Sequence, residues 1–83
     1  MKNKKQMTEF EKLALKKAVE CRALMPPHYI KLVNAWLVEN GKKTVSNARV
    51  SQVLSGYNYS TDIAEAIIKA SEAYQDRLFK LAQ

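Results

Sequence analysis

Two glycines, Gly41 and Gly56, and two prolines, Pro26 and Pro27, are the only strong chain breakers in 83 residues. All four fall between segments whose apolar residues recur at three- and four-residue spacing. No stretch alternates apolar and polar residues in the manner of a half-buried strand, so the chain reads as helix throughout. The breakers divide it into four segments, at about 8–25, 27–40, 46–55 and 61–81. The expected fold is therefore all-α, a compact bundle of four helices. Residues 8–83 form one domain, preceded by a basic arm over residues 1–7. A chain of this length buries only about 60–65% of the surface it exposes unfolded, so pairing of two copies would add stability.

Each expected helix has a local start and stop. Thr8 and Glu11 have the spacing of a capping box, in which hydroxyl and carboxylate satisfy orphaned amides reciprocally. Behind them Phe10, Leu13, Ala14, Ala18, Cys21 and Leu24 or Met25 form an apolar stripe. Pro26 ends that helix, because the residue before a proline avoids helical geometry. Pro27 is expected in the first turn of the second helix, with Ile30, Val33, Trp36 and Leu37 inward and Gly41 as its C-cap. Ser46 caps the third helix, and Val45 and Val50 are spaced to form a hydrophobic staple across its start. Val50, Val53 and Leu54 make its buried face, and Gly56 stops it. Ser60 or Thr61 starts the last helix, whose stripe of Ile63, Ile67, Ala70, Tyr74, Leu78 and Leu81 is longer than so small a core requires. Its end is expected to pack on the first helix or on a second copy, with Ile67, Tyr74, Leu78 and Leu81 as dimer contacts.

Charge narrows the function classes. The net +6 is unevenly spread: residues 1–49 hold eleven Lys and Arg against four Glu, whereas residues 50–83 hold three against four Asp and Glu. A cationic half beside a nearly neutral one suits a face that meets a polyanion, although a lysine-rich surface accounts for the same numbers. No apolar run approaches the ~20 residues that span a bilayer. Met1–Lys5 is followed by a charged amphipathic stretch, so no signal peptide is expected. The single cysteine cannot staple its own chain, which fits a cytoplasmic setting.

Val45–Gly56 carries the most chemical information. This segment holds no acidic residue, and opposite its valines it shows Asn47, Ala48, Arg49, Ser51 and Gln52. Amides can pair with adenine, a guanidinium with guanine or phosphate, and an alanine methyl can touch that of thymine. A short surface helix with a solvated polar face fits the same residues.

The pattern Val-Ser-x-x-x-Val-Ser-x-x-Leu-x-Gly over residues 45–56 resembles the second half of the helix-turn-helix in the phage-repressor (lambda-repressor-like) family. It also resembles short prophage and bacterial regulators, with agreement in helix order over residues 28–74. The resemblance implies sequence-specific binding of double-stranded DNA by a homodimer acting as a transcriptional regulator, in bacterial or phage-infected cytoplasm at the nucleoid. It implies base contacts from Asn47, Ala48, Arg49 and Gln52. Lys42, Lys43, Ser46, Ser51, Tyr57 and Asn58 are expected on the sugar-phosphate chain. Two departures stand out. The turn between the motif helices is about three residues longer than is usual in the family, and the usual small residue and glycine, four apart in the first of them, are missing.

Lys2, Lys4 and Lys5 could follow a DNA backbone or reach a minor groove, or simply solubilise the chain. No enzyme is expected. His28 has no cysteine or carboxylate near it in sequence, one His and one Cys cannot assemble the usual zinc sets, and no glycine-rich phosphate loop or GxSxG occurs. No cofactor or small-molecule ligand is read from the chain. The competing functions are a protein-interaction module built on the long last helix and, third, RNA binding, for which the chain lacks a glycine-rich clamp or aromatic sheet platform.

Overall fold

The computed structural model describes residues 7–82, and these form four helices: α1 (Glu9–Ala23), α2 (Tyr29–Glu39), α3 (Asn47–Leu54) and α4 (Thr61–Leu81). No strand occurs among the described residues. Lys2, Lys4 and Lys5 of the expected basic arm lie outside them.

The helix ends follow the local chemistry. The Thr8 hydroxyl accepts from the Glu11 amide at 3.1 Å, and the Glu11 carboxylate accepts from the Thr8 amide at 3.0 Å. Ser46 and Ser60 cap α3 and α4 through the amides of Arg49 and Ile63. Gly41 and Gly56 have φ of +73° and +84°, the left-handed region in which a side chain is strained. Each closes its helix with the same pair of bonds. The amides of Gly41 and Lys42 donate to the carbonyls of Val38 and Leu37, and those of Gly56 and Tyr57 donate to Val53 and Gln52.

Helix α1 ends at Ala23, two residues before the expected stop, and the start of α2 also differs from expectation. Pro27 does not enter the first turn of α2. The Tyr29 amide donates to the Pro26 carbonyl, so Pro27 and His28 form a turn of their own and the helix starts at Tyr29. Pro27 fixes a φ that suits the second position of such a turn as well as it suits a helix start. His28 takes the N-cap position without a side-chain bond.

The core gathers Val33 and Leu37 of α2, Val50 and Val53 of α3, and Ile63 and Ile67 of α4, together with small residues of α1 and α4. Ala18 and Cys21 on α1, and Ala64, Ala66, Ala70 and Ser71 on α4, are all buried, with Ser71 turned to α1 and Ala70 to α2. Small side chains let the two backbones approach closely, and α1 and α4 form the most extensive helix contact of the fold. The one buried polar side chain in this region, Ser71, is satisfied twice: its hydroxyl donates to the Cys21 carbonyl at 3.3 Å and accepts from the Gln75 amide at 2.9 Å. Arg22 lies over the Tyr29 ring, 3.9 Å from its centroid, and ties the end of α1 to the start of α2.

Two expectations about burial are corrected. The spacing places Phe10 and Leu13 on the inner stripe of α1, yet they are 72% and 66% exposed. The inward face holds Ala14, Leu15, Ala18 and Cys21, with Arg22 half-buried at its edge. The stripe of α4 offers Ile67 as a dimer contact, yet it is fully buried in the chain's own core. A stripe read from spacing cannot tell which of its turns the chain covers itself. Here α4 is covered only as far as Ser71, and beyond it Tyr74 alone is half-buried.

Candidate nucleic-acid interface

Helix α3 is held by one side. Val50 and Val53 have no exposed surface, Leu54 packs against the core, and Val45 does the same just ahead of the helix. Burying such aliphatic side chains stabilises by roughly 1.5–3 kcal/mol each, so a helix of little more than two turns is fixed by its anchors. On the opposite side Ala48, Ser51 and Gln52 are exposed. No acidic residue lies on the helix.

The two remaining candidates sit on the edges of that strip. Asn47 is exposed, with its side-chain oxygen 3.5 Å from the Tyr29 hydroxyl. Arg49 lies on the other edge, half-buried, and its Nη1 donates to the Asn58 carbonyl at 2.7 Å. Asn47, Arg49 and Gln52 therefore do not form one free outward trio: Gln52 is presented to solvent, Asn47 is exposed with its Oδ1 accepting from the Tyr29 hydroxyl, and Arg49 is turned to the loop after α3.

The expected phosphate contacts divide in the same way. Lys43, Ser51, Tyr57 and Asn58 are exposed. The Ser46 hydroxyl caps α3 by accepting from the Arg49 amide at 3.1 Å, which leaves its own proton available to an acceptor. Lys42 is paired with Asp62 in the first turn of α4, Nζ to carboxylate oxygen at 3.0 Å. Both groups are partly exposed, so water and salt weaken the pair.

The turn between α2 and α3 is an ordered structure. Asn34, a lone amide in an otherwise apolar stretch of α2, reaches across to Val45: its Oδ1 accepts from the Val45 amide at 2.8 Å, and its Nδ2 donates to the Val45 carbonyl at 3.0 Å. This side chain replaces a strand-like pairing partner for the turn and sets where α3 begins. Sequence reasoning passed over it, although a single polar residue between Val33 and Ala35 was the available signal. Helices α2 and α3 touch little directly; α2 packs on α4, and α3 packs equally on α1 and α4. The angle between them is thus set through the α1–α4 pair and the Asn34 clip.

Among the described residues no group of three His, Cys, Asp or Glu is placed to hold a metal. Cys21 is buried in the α1–α4 contact, and Trp36 is half-buried against the core. No helix among the described residues is long and apolar enough to cross a membrane. Comparisons of the chain with protein-family models, with curated proteins and with solved structures give no match.

Proposed function

We propose that the protein binds double-stranded DNA sequence-specifically through α3, as a transcriptional regulator of phage or mobile-element type. One observation carries this reading. A short helix without acidic residues is clamped to the core by Val50 and Val53 and presents Asn47, Ala48, Ser51 and Gln52 to solvent. Those groups can meet base edges in a major groove. Lys43 and the N-terminal end of α3 supply phosphate contacts beside them, and the excess of cations in residues 1–49 supplies general attraction. Base choice rests on Asn47 and Gln52, with Arg49 in a supporting position. In the same reading two copies pair through the exposed end of α4, using Leu78 and Leu81 with Tyr74 beside them. Each copy then lays one α3 in successive turns of the groove on a two-fold site.

Selection from a random duplex library followed by sequencing tests the reading. The expected result is a two-fold motif whose binding falls steeply as salt rises. Unselective recovery at all salt concentrations would overturn it.

A specific observation favours a second reading, a protein-docking role for α4. Leu78, Phe79 and Leu81 are 47%, 64% and 77% exposed. A mainly apolar interface changes little between low and moderate salt, so the salt dependence of binding separates the two.

A further inference from the structure

We infer that Arg49 is a positioning residue for the loop Tyr57–Tyr59 and not a reader of bases; its consequence for binding rests on the DNA-binding reading above. The loop runs between two fixed ends. At its start, the Tyr57 amide is bonded to the Gln52 carbonyl through the turn at Gly56. At its end, the Tyr59 ring packs against the core and Ser60 caps α4. Asn58 lies between them with φ +56°, a left-handed conformation that costs most residues about 1–2 kcal/mol and is tolerated by asparagine. The guanidinium of Arg49 grips this residue by its carbonyl at 2.7 Å. A charge-assisted bond of that length is among the stronger single contacts a surface loop can have.

The bond has a functional consequence. It ties the loop back to the first turn of α3 and so backs up the amide bond that keeps Tyr57, 59% exposed, near Gln52. Reaching a base would require Arg49 to release the Asn58 carbonyl and leave its edge of the helix. While the bond holds, the remaining N–H groups can meet a phosphate oxygen, which carries no sequence information. Arg49 thus acts on affinity through loop order, and Asn47 and Gln52 act on base choice.

Two measurements on Arg49→Met and Arg49→Lys test this. In the DNA-free protein, hydrogen exchange at the Tyr57 amide, which is bonded to the Gln52 carbonyl, is expected to rise about tenfold in Arg49→Met, the equivalent of one charge-assisted bond. The lysine variant, which keeps a donor, should recover part of the protection. Unchanged exchange in both variants, with helix content intact, overturns the assignment whether or not the protein binds DNA. On selected duplexes, Arg49→Met is expected to weaken all sequences by one common factor of about five- to tenfold. Loss of preference at a single base pair would instead make Arg49 a reader. If the wild-type protein binds no duplex even at low salt, the DNA-binding reading fails, and the exchange measurement alone decides what Arg49 does.

Discussion

Gln52 and Asp62 show how differently single residues act around α3. Gln52 is exposed on the outward strip, opposite the buried valines, so truncating it leaves the core untouched. Gln52→Ala is expected to relax base choice at one position of the bound site by about 1–3 kcal/mol, read from a binding profile over single-base variants. A profile identical to wild type would remove Gln52 from the groove. Asp62 holds Lys42 at 3.0 Å and so competes with any phosphate for that cation. Asp62→Asn is expected to tighten binding to every duplex a few-fold at low salt and to steepen the dependence of log K on log salt by about one unit. It should cost α4 only a few tenths of a kcal/mol at its first turn. Tyr59 raises a separate question, since its hydroxyl is buried without a hydrogen-bond partner among the described residues. Tyr59→Phe should be neutral or stabilising by up to about 1 kcal/mol in a denaturant titration, because it removes a group that folding strips of water.

At the scale of elements, the segment between α2 and α3 decides how α3 is offered. A turn of this length would ordinarily leave the helix angle loose. The two bonds from Asn34 to the backbone of Val45 fix it, and the Lys42–Asp62 pair adds a weaker tie to α4. Asn34→Ala would leave the part-buried amide and carbonyl of Val45 without those partners. The expected loss is about 1–3 kcal/mol of stability, measured by chemical denaturation. A duplex-affinity loss larger than the fraction unfolded accounts for would show that the clip also orients α3. The start of α3 was legible from Ser46, Val45 and Val50, because capping and stapling are local. The clip was not, because it joins residues eleven apart in sequence through a side chain whose direction depends on how α2 lies.

For the whole molecule, the open matter is the far end of α4. Its apolar stripe continues through Leu78 and Leu81 after the chain's own core has ended at Ser71. In the two-copy reading, Leu78→Ser combined with Leu81→Ser is expected to abolish self-association in sedimentation. Helix content should be preserved, since neither residue supports the core. A wild-type protein that stays monomeric at high concentration would remove the pairing and leave α4 to another partner.

The four helices, the N-caps of α1, α3 and α4, and the glycines that end α2 and α3 were determined by the sequence itself, since each depends on residues within a turn or two of one another. The burial of Val50 and Val53 followed as well, because spacing alone puts them on one face. Only the tertiary structure decided that Ile67 belongs to the core and Leu78 does not, that Phe10 and Leu13 lie outside it, and that Arg49 turns to Asn58. Those outcomes depend on how far each helix is overlapped by its neighbours. Here α1 and α4 make the most extensive helix contact, and which turns it covers is not encoded in periodicity.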